Sequence, residues 1–599
     1  MHASRILPCF FLAFALIVVA QPQKARACGG FFCSAQTESP IFQSGERIMF
    51  VQRDNGIVSM HIEVSYAGDP TEFAWLIPVL GDPTNVDGTP APLSRAIQLS
   101  SSELFQRLQT QTNPTWNVSF GVPFPSECAP GSFDRTPSFG CGAIALSSAG
   151  GDFGVANERA MLDSATSETQ EPDPFVLDTA RVGPYDAQLI DTPESSDELF
   201  DWLNANGYYQ DPAAKPLLAY YVSLGYRFIG IRLQNGKDNG DIRPILLNLP
   251  EGGPCVPLRL TGIAATADMP VRVWVLGPGR AIPKNFLHAV VNEQAVDYPG
   301  GGNYDQVVAD AVAEAGGRAF VTEMALPHDF ETTFIDRESL PTEREVIMMS
   351  TYDQETFDAR WEQWGLPTSG PDYDAAGLEE NPEFRRKRLV EEVALPALAI
   401  ERAFRQTTHV TRFYTRIDPD DMTRDPIFSF NADMEMIPTE RTMAMRQFTD
   451  KECVPHQIAQ WDDGRRFTFS SAAFMNVTLN RPDVPALLRV EVAEEAGQPF
   501  VVHRDEIEVM DTVMDRAVLG ATTLTEEERE QFEVAESPEQ WPNPPAGFDE
   551  MGSQADEEGA DEGADEGCRV GGQAVMTGYM LLALAFLIHR RRRAFAPRG

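Results

Sequence analysis

The chain has 599 residues with 48 basic and 89 acidic side chains, a formal net charge of −41. Its two ends hold nine of the basic residues and none of the acidic ones, so residues 28–567 carry 39 basic against 89 acidic groups, a net −50. Such a surface repels phosphate backbones and anionic headgroups, which excludes nucleic acid as a partner class and leaves cations, basic partners or plain colloidal solubility.

In chain order, residues 1–5 are a short basic start, residues 6–20 an apolar core and residues 21–27 a polar stretch ending Ala25-Arg26-Ala27. This is the layout of a secretory signal peptide cut before Cys28. A cysteine directly after the cut also raises a lipoprotein reading, which Ala25 and Arg26 fit poorly. Cys28, Cys33, Cys128, Cys141, Cys255 and Cys453 then form an even set in an oxidising compartment, so disulfides are expected. Loop closure favours Cys28–Cys33 and Cys128–Cys141, leaving Cys255–Cys453.

The stretch "ERIMFVQRDNGIVSMHIEVSY" predicts a hairpin, with Asn55-Gly56 suited to positive φ in the turn. "EFAWLIPVLG" reads as a buried strand stopped by Pro78 and Gly81. Ser100-x-x-Glu103 has the form of a capping box for a helix burying Leu104, Phe105 and Leu108. Residues 113–176 are rich in Gly, Pro and Ser. A second unit opens with a helix at Ser195-x-x-Glu198 that buries Leu199, Trp202 and Leu203 and is closed by Gly207. Strand-like runs follow: "YRFIGIRL", "IRPILLNL", "VPLRLTGIAA" and "PVRVWVLG". "NYDQVVADAVAEAGG" is a helix leading into the strand "RAFVTEM". Residues 353–404 are largely helical with Pro breaks and hold the basic run Arg385-Arg386-Lys387-Arg388, read as a solvated helix face. Strand signals return over residues 467–502.

Beyond residue 533 the acidic, Pro-rich chain cannot bury a core and is expected to be a self-repelling tether. It ends in Cys568, an apolar run over residues 574–588 and Arg590 to Arg593. Fifteen helical residues span about 23 Å, short of a hydrocarbon core of about 30 Å, so the run is a poor permanent anchor.

These readings give an α+β chain of mostly antiparallel sheets with flanking helices. The expected organisation is a signal peptide (1–27), a β-rich domain (28–176), an α+β domain (177–340), a mixed helical and β region (341–533), an acidic linker (534–567) and a C-terminal sorting segment (568–599).

Several stretches taken together resemble an exported bacterial family, domain of unknown function 2330: "ACGGFFC" from Ala27, "FAWLIPV" from Phe73, "ELFDWLNANGY" from Glu198, "EAGGRAFVTEM" from Glu314 and "TRFYTRIDPDDMTRDPIFSFN" from Thr411. The resemblance covers residues 28–431. It implies localisation and architecture, and it brings no catalytic residue, because the family has no established activity. The tail resembles the MYXO-CTERM sorting signal. That likeness implies a sorting protease as partner, with Cys568 marking the point of processing and attachment to the cell envelope.

The sequence contains no H-E-x-x-H, G-x-S-x-G, Walker loop or G-x-G-x-x-G. Asp418, Asp420, Asp421 and Asp425 form the densest acidic cluster of the folded part and a calcium candidate, since that ion takes six to eight oxygen ligands. The alternative is a turn with helix-start signals at Asp418-Pro419 and Asp425-Pro426. No other cofactor is expected. The sequence therefore favours a non-catalytic surface protein that binds an unidentified surface partner or builds the envelope. An exported hydrolase with a spatially assembled site is the alternative.

Overall fold

The expected hairpin is present: strands Phe42–Gln52 and Val58–Ala67 pair antiparallel around the turn at residues 53–57. The Gly56 N–H donates to the Arg53 carbonyl at 3.0 Å, and Gly56 takes φ 84° while Asn55 does not turn positive. One left-handed residue is enough here because the glycine closes a three-residue loop, and not the two-residue turn that would need two. The computed structural model describes residues 42–528 except 68–72, 122–174, 193–194, 209, 235–241, 251–252, 329–334, 336–338, 450–454, 470–483 and 517–523. Cys28, Cys33, Cys128, Cys141, Cys453, the acidic linker and the tail with Cys568 lie outside the described residues.

The hairpin belongs to a ten-stranded sheet. Its spatial order is Phe500–Val502, Leu487–Val492, Leu287–Val291, Ala319–Pro327, His409–Ile417, Met269–Gly277, Phe42–Gln52, Val58–Ala67, Ile245–Leu249 and Ile97–Leu99. Neighbours are antiparallel apart from two parallel pairs, Phe42–Gln52 with Met269–Gly277 and Leu287–Val291 with Ala319–Pro327. The architecture is α+β, as expected.

The sheet crosses the boundaries expected near residues 176 and 340, drawing strands from all three segments on either side of them. A parallel neighbour cannot be reached by a tight turn, so the chain between Gln52 and Met269 must make a long crossover. Much of that crossover is a second sheet, Ala74–Val79, Arg227–Leu233, Tyr185–Ile190 and Val176–Val182, with helices Ser196–Ala205 and Lys215–Ser223 packed on it. Ala74–Val79 is an edge strand, which is why it runs through Pro78 instead of stopping there.

A third sheet joins Thr115–Phe120 to Glu440–Thr449, Pro455–Gln460 and Arg466–Phe469. "VPLRLTGIAA", expected as a strand, instead holds the one-turn helix Leu258–Thr261 with Leu258 and Leu260 buried. A short apolar run buries equally well in either form, so its pattern could not choose between them.

Successive side chains of the Phe42–Gln52 strand enter different cores. Ile48 and Phe50 pack with Val271, Val273 and Val275, while Met49 and Val51 pack with Trp274 and the helices of residues 343–406. Burial on both faces explains why "IMFV" is continuously apolar and does not alternate. The helix Ser102–Thr112 buries Leu104, Phe105 and Leu108 beneath that helical layer. Its capping box does not form. The Asp372 carboxylate, from a distant helix, accepts from the Ser101 hydroxyl at 2.7 Å and the Ser102 N–H at 3.2 Å. Near the end of the layer, Pro396 has no N–H to give the carbonyl four residues back. The chain passes through a π turn at Val390–Ala394 before the helix Leu395–Gln406.

Candidate functional site

The helix Gln354–Gln363 is capped by Asp353, whose side chain accepts from the Thr356 N–H. Phe357 and Trp361, one turn apart, fall on its buried face, with ring centroids 5.3 Å apart. Pro382 and the Asn381 cap fix the start of the facing helix Pro382–Leu389. Between the two helices lies a groove of about 540 Å³, within the range of small-ligand and side-chain pockets.

Phe357 and Trp361 lie at the base of the groove, and Tyr373, Asp358, Glu362 and Arg385 contribute polar groups to its walls. The side chains of Arg385 and Glu362 form no ion pair, and the Tyr373 hydroxyl makes no hydrogen bond. Groups of both charge signs therefore stand uncommitted around an apolar base. The basic run, read as solvated, has none of its four side chains buried and spreads around the helix: Lys387 and Arg388 pair with Glu391 and Glu392 one turn on, Arg386 donates to Gln354, and Arg385 stands at the groove.

A nucleophile–base contact also exists, and no spacing rule announced it. The Ser100 hydroxyl lies 2.7 Å from His61 Nδ1, yet the two residues are only 2 % and 1 % exposed. Burial, helped by nearby Arg53, pushes the imidazole down to about 3, so it is neutral. Its Nε2 has no partner, so no carboxylate orients the ring from the far side. A substrate carbonyl has no route to this hydroxyl, and the pair serves as an internal hydrogen bond between the sheet and the entry to helix Ser102–Thr112.

The four aspartates of the calcium candidate are not brought to one point. Asp418 accepts from the Asp268 N–H at 2.7 Å, Asp420 is exposed, and Asp421 sits beside Arg318. Asp425 turns inward and accepts from the Tyr221 hydroxyl at 2.7 Å and the Arg259 N–H at 2.9 Å. Burial pushes Asp425 up to about 6. Among the described residues no group of three or more His, Cys, Asp or Glu side chains is arranged to hold a metal ion.

Cys255 is the one disulfide candidate among the described residues. Its thiol is free, and burial together with Asp425 pushes it well above the usual range. No helix among the described residues is long and apolar enough to cross a membrane.

A family model described as an uncharacterized protein conserved in bacteria matches residues 22–340, ending short of the resemblance read through Asn431. No curated protein and no solved structure matches the chain. The matched span includes His61 and Ser100, whereas the groove lies beyond it.

Proposed function

The chain belongs to the family of uncharacterized bacterial proteins called domain of unknown function 2330, and from that premise we propose that it is an exported, envelope-attached binding protein that performs no covalent chemistry. One contrast carries this reading. The serine–histidine contact is sealed in the core, while the groove on the helical layer holds open, uncommitted charges and an apolar base. Open recognition groups without an accessible nucleophile serve binding.

Export rests on the signal-peptide layout before Cys28, and attachment rests on the tail. Arg590 to Arg593 hold the chain's end on the cytoplasmic side, which leaves Cys568 outside, at the end of an acidic tether that a sorting protease can reach. The alternative, an exported hydrolase, rests on the 2.7 Å contact of Ser100 with His61 and would require that site to open.

Serine-hydrolase probes separate the two readings. The binding protein stays unlabelled, whereas labelling that vanishes in Ser100→Ala would establish the hydrolase. For attachment, Cys568→Ala should leave a longer, tail-bearing form in the inner membrane. Peptides from residues 577–590 recovered from mature wild-type protein would show instead that the tail is retained.

A further inference from the structure

Arginines in this acid-rich chain commonly meet a carboxylate, as Arg107 meets Glu103, Arg388 meets Glu392 and Arg405 meets Glu401. Arg53 and Arg402 do not. Arg53 stands in the hairpin turn, where its Nε donates to the Ser59 hydroxyl at 2.9 Å and its Nη1 to the Gln406 side-chain oxygen. Arg402 lies four residues before Gln406 on helix Leu395–Gln406, so the two share a helix face and Arg53 is brought to both. The Arg402 Nη2 donates to the Pro341 carbonyl at 2.9 Å.

Both guanidiniums are half-buried, and neither forms an ion pair with a described residue. Glu343 acts on Arg402 only from beyond contact distance, and the charge that acts on Arg53 is that of Arg402. Burial, with Arg402 adding to it, pushes Arg53 down to about 10. The remaining neighbours are neutral: Ser59 donates onward to Asn248 at 2.6 Å, and burial keeps His61 uncharged. Two like charges partly out of water without a counter-ion destabilise a fold. An oxyanion between them removes that cost, and the planar fork of arginine matches carboxylate and phosphate geometry. Gln406 is exposed, so the cluster is open to solvent.

Beyond the binding reading above, which concerns the groove, we propose that Arg53, Arg402 and Gln406 form a second site. It holds a small oxyanion, the carboxylate or phosphate group of a ligand, between the hairpin turn and the end of helix Leu395–Gln406. The net charge of −50 over residues 28–567 repels a polyanion along its whole length. A small anion meets mainly the two guanidiniums, because charges beyond about 8 Å are largely screened at physiological salt.

Calorimetric titration of the full chain with inorganic phosphate and with acetate, at matched ionic strength against sodium chloride, tests the proposal. Saturable binding of at least one is expected, and Arg53→Gln and Arg402→Gln should each weaken it by roughly tenfold or more. Arg344→Gln, an exposed arginine outside the cluster, should leave it unchanged. Binding of phosphate alone assigns the site to phosphate-bearing ligands, and binding of acetate assigns it to carboxylates. Without added anion, Arg53→Gln should leave the melting temperature unchanged or raised, since it removes a like-charge contact. No saturable binding, or binding that ignores both substitutions, overturns the proposal. So does a lower melting temperature in Arg53→Gln with phosphate and acetate binding unaltered, which marks a purely structural arginine. The site shares no residue with the groove, so its failure leaves the binding reading standing.

Discussion

Arg412 and Glu323 meet 2.5 Å apart with side-chain exposures of 0 % and 1 %, across two neighbouring strands of the large sheet. Glu323 reaches Arg412 because the ladder slips between Thr322 and Met324, leaving it as the extra residue of a β-bulge. The contact is an ion pair, and the guanidinium's hydrogen bonds go to the Thr112 hydroxyl at 3.1 Å and the Asn113 side-chain oxygen at 3.0 Å; it lies 5.4 Å from the Trp274 ring. The pair therefore ties two strands to the C-terminal end of helix Ser102–Thr112.

Removing one member strands a buried charge. Glu323→Ala and Arg412→Ala should each cost about 3–5 kcal/mol in urea unfolding. Arg412→Met combined with Glu323→Leu should cost far less than the sum of the single losses. Additive losses would mean that the two residues act independently.

Glu46 is 3 % exposed, and burial pushes it up to about 8 despite a hydrogen bond from Gln43. A carboxyl raised on folding stabilises the fold fully below its unfolded value of 4.5, and that stability is lost as pH rises through about 8. Glu46→Gln should leave stability near pH 4 unchanged and should stabilise the protein above pH 8, on the order of a few kcal/mol. Melting temperatures across that window check both the sign and the range. A difference that grows toward acid would refute it.

Asp372 replaces a missing cap and also pairs with Arg243 at 3.0 Å. Asp372→Ala should cost about 2–4 kcal/mol, because it leaves both a helix start and a nearly buried guanidinium unsatisfied. Hydrogen exchange should speed first at residues 102–105, and uniform acceleration along the helix would argue against a capping role.

Alkylation of the denatured but unreduced protein should label Cys255. In the native state labelling should be slow at neutral pH, because burial and Asp425 keep the thiol protonated. A free Cys255 leaves five other cysteines in residues 28–567, an odd number, so a second unpaired or modified one should appear in the same mass spectrum. A denatured chain in which Cys255 resists labelling would instead establish the bridge expected with Cys453.

Much of the local structure could be read from the sequence alone. The hairpin at Gly56, the buried faces of Leu104, Phe105 and Leu108, the helix closed by Gly316 and Gly317 and the helical run of residues 353–404 follow from periodicity and from glycine's access to positive φ. These depend on neighbours a few positions apart. Tertiary structure decided what depended on distant partners. Parallel pairing of residues 46–51 with 271–276 merged the expected domains into one sheet. Asp372 supplied a cap from 270 residues away. A contact between Ser100 and His61 became an internal bond through burial that spacing does not encode. Arg385 was one of four equivalent cations in the sequence, and only packing of two helices made it part of a groove. Local propensity acts within a turn or two of chain, whereas burial and charge pairing act through space and await the assembled fold.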